Sequence, residues 1–286
     1  MTLILIQILN GLQNGLLIFL IASGLTLVFG IMGVINLSHG SFYMLGAYAS
    51  LTLTSFTGDI FLALALGIPL AFAFGAAIEW LFIRHLYERD HLQQVLVTFG
   101  LILIFNEAQR MLWGSRPHSV PIPSYLAGSI RLSEVQNYPV YRIAVGALCV
   151  ALAVAMMLVI QKTRVGRMIR AGESNREMVE ALGIDTRLLF RFVFAAGVSL
   201  AAAAGIIAAP IESVYPGIGE QVLIISFVVV VIGGIGSIKG ALVGALLIGL
   251  ADAFGKVFLP QFASVMVYAL MAAILVVRPG GLFGRA

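Results

Sequence analysis

The sequence predicts an all-α fold: a polytopic transmembrane helical bundle of about 8–9 spans, with Gly-rich helix breaks and one long charged loop outside the membrane. Three observations predict it. Of 286 residues, 60% are hydrophobic and only 10% charged, against roughly 25% charged in a soluble domain, and mean hydropathy is +1.05. That is too little polar surface to face water, so most of the solvent must be lipid. Apolar runs of about the 20 residues a helix needs to cross a bilayer recur from end to end, without the alternation of barrel strands. Charge gathers in short stretches between these runs. The whole of 1–286 reads as one membrane-embedded unit, with residues 162–191 as its charged loop.

In chain order the runs lie near 9–32, 40–57, 60–83, 92–113, 140–161, 190–210, 220–236, 240–258 and 261–277. The first basic residue is Arg84, so the opening MTLILIQILN lacks a charged leader region and reads as the start of a first span. Lys and Arg concentrate in Arg84–His91, in Lys162–Arg191 and in the tail from Arg278. Gly114–Pro139 and Pro210–Gln221 are poorer in positive charge and richer in Pro, Gly and Ser. By the positive-inside rule the first group is cytoplasmic and the second external, which places the N-terminus outside and the C-terminus inside after nine crossings. The net charge of +4 therefore reads as an orientation signal; the basic, aromatic-rich patches of a nucleic-acid reader are missing. The single cysteine, Cys149, lies in an apolar run and supports neither a disulfide framework nor a metal cluster.

Two stretches read as interrupted helices: GIMGVINLSHGSFYMLG (Gly30–Gly46) and GGIGSIKGALVG (Gly233–Gly244). Irregular backbone at membrane depth survives only where protein buries it or a wet cavity receives it, and broken helices mark crossing routes. Asn36, Ser38, His39 and Gly40 in the first break, and Gly233, Gly236 and Gly240 in the second, are therefore candidate pathway residues. Each break also reads as a short cytoplasmic turn, the second especially, because Lys239 favours water. His39 fits either a structural, pathway-lining role, bonded to Asn36 or Ser38, or direct contact with a solute; no further ligands stand near it for a metal. Gly236, Gly240 and Gly244 are spaced for one close-packing helix face, as are Gly11 and Gly15.

The remaining charges within the runs have local partners. Asp252 and Lys256 are spaced i, i+4, and Glu107 and Arg110 i, i+3, both fit for helical ion pairs. Glu79 falls within a turn or two of Arg84. No ladder of carboxylates crosses the membrane, which counts against a proton pump or other ion-coupled carrier. A phosphate-binding G-x-x-x-x-G-K-[ST] loop is excluded: among the three lysines only Lys162 is followed by Ser or Thr, and MLVIQ precedes it. No catalytic constellation is present either.

The charged loop carries seven basic residues (Lys162, Arg164, Arg167, Arg170, Arg176, Arg187, Arg191) and four acidic ones. Within it, Ser174 and Glu177 have capping-box spacing. Met178, Val179 and Leu182 then form a short apolar stripe, Gly183 is a natural C-cap, and Asp185 can cap the following helix. A helix of two turns is unstable alone, so this stripe needs a groove, on a partner or on this chain, or a lipid surface to lie on.

Four segments, GLTLVFGIMGVINLSHGSFYMLGAY (Gly24–Tyr48), TRVGRMIRAGESNREMVEALGID (Thr163–Asp185), FVVVVIGGIGSIKGALVGALLIGL (Phe227–Leu250) and RPGGLFG (Arg278–Gly284), together resemble the branched-chain amino-acid (leucine/isoleucine/valine) type of ABC-importer permease. The resemblance implies a bacterial inner-membrane transport subunit, with no cofactor of its own, that forms a translocation pathway with a second permease. It further implies two ATP-binding subunits carrying ATP and Mg, and a periplasmic substrate-binding protein. It makes Glu173, Ser174, Glu177, Met178, Val179, Leu182 and Gly183 the coupling helix that meets the ATPases. Members of the same family carry branched-chain amino acids, a broader range of amino acids, or urea and short amides.

Overall fold

Each of the nine apolar runs forms a helix in the computed structural model, which describes residues 2–131, 136–174 and 176–284, with the backbone alone at 173, 176, 177 and 264. In order the helices are α1 (Thr2–Met32), α2 (His39–Thr57), α3 (Ile60–Leu81), α4 (His91–Trp113), α5 (Val140–Lys162), α6 (Arg164–Ser174), α7 (Arg176–Ala181), α8 (Thr186–Ala208), α9 (Ile218–Gly233), α10 (Ile238–Phe258) and α11 (Ala263–Val277). A two-stranded antiparallel ribbon, β1 (Ser129–Arg131) with β2 (Asn137–Pro139), pairs Ile130 with Tyr138. Among the described residues, six helices (α1, α3, α4, α5, α8 and α10) are long and apolar enough to cross a membrane; α9 and α11 are shorter apolar helices.

Two helices form the heart of the bundle. The apolar windows of α1 and α8 are 83% and 78% buried, whereas those of α3, α4 and α5 are 28% buried and turn Leu, Ile and Phe outward. The central helices pack through backbone rather than side chain. A Cβ at Gly24 of α1 would meet the Gly197 carbonyl of α8 at 2.7 Å, and one at Gly249 of α10 would meet the Gly15 amide of α1 at 2.4 Å. Lipid tails are as apolar as leucine, so association in a bilayer rests on such close contact. Gly11 and Gly15 do line one face of α1, against Leu250 and Ala245–Leu246. The predicted Gly236–Gly240–Gly244 series is not one face: α10 begins at Ile238, and Gly236, at φ +80°, sits in the turn before it, against Gly30.

The bundle has one charged end. Residues 84–89, the start of α8 and the loop at 180–187 surround a common cavity there, and the C-terminal tail folds onto the end of α9, where the Leu282 and Phe283 amides donate to the Ile232 and Gly233 carbonyls at 2.8 and 3.1 Å. At the opposite end, the His118 and Val214 backbones form a bridge and the Arg142 guanidinium donates to Asn10. Tyr125 donates to Asp59, the N-cap of α3, whose side chain also accepts from the Phe61 and Leu62 amides.

Substituting Gly249 by Leu is expected to unfold or loosen the bundle, since overpacking against backbone costs about 1–3 kcal/mol or more. Gly100→Ala, where a Cβ meets nothing within 4 Å, serves as the neutral or mildly stabilising control; thermal unfolding in detergent separates the two. The Tyr125 hydroxyl and the helix amides hold the Asp59 carboxyl below its usual 3.8. A carboxylate so favoured in the folded state contributes fully above its unfolded pKa, and the contribution is lost as pH falls through the lowered value. The acid limb of stability should therefore flatten in Asp59→Asn.

Candidate functional site

The chain between α1 and α2 does not turn back at the helix end. The His39 ring Nε2 donates to the Ile21 carbonyl at 3.0 Å, which makes Nε2 a protonated ring nitrogen. Ile21 lies 11 residues, about 16 Å of helix, before the end of α1 at Met32. Residues 33–38 thus return along α1 without helical structure, and α2 starts about a third of the way up its 31 residues. Expected against Asn36 or Ser38, His39 is instead anchored to a different helix; Asn36 Oδ1 accepts from both the amide and the hydroxyl of Ser38, at 3.0 and 2.6 Å. All three side chains are fully buried. Gln94, which sequence reasoning did not single out, steadies this segment: it accepts from the Ile35 amide at 3.0 Å and donates to the Leu86 and Arg89 carbonyls.

The helix that starts at matching depth is α9. Gly40 and Gly219 touch backbone to backbone, so a Cβ at Gly40 would fall 2.0 Å from the Gly219 carbonyl. Residues 209–217 therefore descend from the end of α8 into the bundle. The break predicted at 233–244 takes the simpler form of a tight turn at the charged end, with Gly233 and Gly240 packed together and Gly236 and Lys239 beside a cavity of about 230 Å³.

Above the N-terminus of α9 lies a second cavity, of about 400 Å³, walled by Ile21, Tyr43, Glu212, Val222, Ile248 and Asp252 among others. The expected Asp252–Lys256 pair forms, at 2.7 Å, and Asp252 also accepts from Asn14 at 3.1 Å. Tyr43 donates to Glu212 at 3.4 Å. Asn14, Tyr43 and Glu212 escaped the sequence reading because they are single polar positions far apart in the chain, which only the descent of 209–217 brings together.

At the charged end, the Thr163 hydroxyl accepts from the Gly166 amide at 3.1 Å and caps α6, a helix absent from the sequence expectation. Ser174 is the last residue of α6, not an N-cap; the capping partner Glu177 and the neighbouring Glu173 have side chains outside the described residues. After α7, the Gly183 amide donates to Glu180 and the Ile184 amide to Val179, with Gly183 at φ +81°. This is a Schellman ending. Asp185 then caps α8 through the Arg187 and Leu188 amides. The apolar stripe divides: Val179 is 3% exposed and faces the protein, while Met178 and Leu182 are 57% and 73% exposed.

Glu79 is fully buried and pairs with Arg191 of α8 at 2.8 Å rather than with Arg84, which lies over the Trp80 ring. Tyr87 also donates to Glu79. The expected Glu107–Arg110 pair is present and exposed at 3.7 Å. Among the described residues, no cluster of three or more His, Cys, Asp or Glu is placed to hold a metal.

A bundle of long apolar helices whose irregular connections are buried in protein has the architecture of a polytopic membrane protein. The chain matches the family described as "Branched-chain amino acid transport system / permease component" over residues 7–276, and it belongs to that family. It is 33% identical to the high-affinity branched-chain amino acid transport system permease protein BraD of Pseudomonas aeruginosa, covering 98% of this chain and 95% of that protein. It is 30% identical, with the same coverage, to the permease protein LivH of the corresponding Escherichia coli system. The ribose import permease protein RbsC of Haemophilus influenzae is 26% identical over 94% of this chain and 84% of its own length. No solved structure matches.

Removing Arg191 would strand a buried carboxylate, at a cost of about 3–5 kcal/mol. Arg191→Leu is therefore expected to destabilise more than the double variant Glu79→Leu/Arg191→Leu in detergent unfolding. Equal losses would show that the ion pair contributes nothing specific.

Proposed function

We propose that this chain is an inner-membrane permease subunit of an ATP-binding-cassette importer for branched-chain amino acids, working beside a second permease. Two ATP-binding subunits hydrolyse ATP with Mg, and a periplasmic binding protein delivers the solute. The chain itself needs no cofactor. Family membership across residues 7–276 supports the transport role, and the substrate follows from the names of the relatives that are 30–33% identical. The entire chain acts as one membrane domain of eight or nine spans. The charged end, which collects the Lys- and Arg-rich segments, faces the cytoplasm with the C-terminus, and the N-terminus is periplasmic.

The observation that carries the mechanism is the rigid junction between α7 and α8. Met178 and Leu182 project from α7 at the charged end and dock on the ATPase, with Glu173, Ser174, Glu177, Val179 and Gly183 completing the coupling segment. The Schellman turn and the Asp185 cap leave no slack between α7 and α8, and Thr186 donates to Glu180 at 2.7 Å across the joint. α8 contacts α1, α2 and α3 along their lengths. A push on α7 thus becomes a tilt of the central helix, and that tilt moves the recessed starts of α2 and α9. Asn36, Ser38, His39 and Gly40 form the hinge of that movement beside the pathway, and Gly233, Gly236 and Gly240 its inner gate.

Leu182→Asp is expected to abolish co-purification of the ATPase and to reduce leucine uptake at least tenfold, while the permease still inserts. Wild-type ATPase capture and uptake in this variant would remove the docking assignment.

A further inference from the structure

The cavity of about 230 Å³ beside the α9–α10 turn is walled by α1, α5, α6 and the first residues of α10. Its lining has two characters. Leu27, Ile31, Met157 and Ile169 make an aliphatic wall, while Arg170 of α6 and Lys239 of α10 bring two cations. Among the described residues, no carboxylate lines the cavity and neither cation forms an ion pair. Arg170 Nη1 donates to the Ile160 carbonyl in the last turn of α5, which anchors the guanidinium at the cavity and leaves its other N–H groups for a second acceptor. Lys239 stands in the first turn of α10, which holds no acidic residue, and the helix dipole disfavours a cation there. Helix stability therefore does not account for Lys239, and an orientation signal is served equally well at any exposed position nearby. The exposed Val150, Val154 and Leu158 of α5 are spaced i, i+4, i+8, a stripe of about 12 Å. It leads, one turn on, to Gln161, which lines the cavity.

We infer that this cavity binds the phosphate head group of an anionic phospholipid, with Arg170 and Lys239 on the phosphate and an acyl chain against the Val150–Leu158 stripe. Basic pockets between membrane helices suit such head groups. The aliphatic wall favours a lipid over free phosphate, which has no apolar surface to bury against it. A zwitterionic lipid brings an ammonium group beside two cations, so a head group of net negative charge is preferred. The lipid joins α6 to α10 and braces the segment that leads into α7. The inference does not depend on which solute the chain carries.

The test uses the full-length chain purified with its partner subunits. Native mass spectrometry reads the lipid retained from an equal mixture of phosphatidylglycerol and phosphatidylcholine with the same acyl chains. The wild type is expected to retain phosphatidylglycerol preferentially, and Lys239→Gln to lower that preference about tenfold, the loss of one charge-assisted hydrogen bond. Arg170→Gln should act in the same direction; because it also releases the Ile160 carbonyl, Lys239→Gln is the deciding variant. Arg84→Gln removes an exposed cation outside the cavity and is expected to leave the preference unchanged. An equal loss in Arg84→Gln and Lys239→Gln would reduce the effect to general surface charge and overturn the site, as would a wild type without preference. Displacement of the lipid by millimolar inorganic phosphate would overturn the lipid assignment in favour of a soluble anion.

Discussion

Inside an apolar solvent, a helix that stops must hand its unpaired amides and carbonyls to something other than water, and the breaks in this bundle are organised by that constraint. The return segment 33–38 is steadied by Gln94, whose single amide group serves three backbone positions. The end of α9 is satisfied by the tail, whose Leu282 and Phe283 amides reach its last carbonyls. The start of α2 is tied to α1 by His39. Polar side chains that look like candidates for chemistry are here mostly the partners that make irregular backbone tolerable.

The other end of α9 departs from this pattern. Gly217 has no side chain to offer the leading amides; the Ile218 amide donates instead to the Tyr215 carbonyl at 3.3 Å, and Glu220 stands in the first turn. A stability argument favours a Ser, Thr, Asp or Asn at that position. The connection at the charged end has the opposite character: it is over-satisfied, with a Schellman turn, an Asp cap and a side-chain bond within about a dozen residues.

The nine runs, the charge asymmetry and the caps at Gly183 and Asp185 were legible because each is written locally: hydropathy over about 20 residues, Lys and Arg counts in short loops, and a Gly or Asp at the right offset. The pairs Asp252–Lys256 and Glu107–Arg110 were legible for the same reason, being one helical turn apart. Partners distant in sequence were not. Arg84 stood close to Glu79 in the chain, yet Arg191, 112 positions away, holds it. Asn36 and Ser38 were the near neighbours of His39, yet Ile21 of the preceding helix accepts its proton. Ser174 is not an N-cap because α6 runs on through it; Val165, Met168 and Ile169 give that helix an i, i+3, i+4 apolar face in a segment read mainly for its charge.

The sequence by itself determined the solvent this protein lives in, the order of its helices, its orientation signals and its family, since each depends on composition or on motifs within one segment. Only the tertiary structure decided which helix starts lie inside the bundle and which polar residues face one another. Glycine explains the difference. It permits backbones to touch but does not say which, so the contacts of Gly40 with Gly219 and of Gly30 with Gly236 became visible only when the helices were packed.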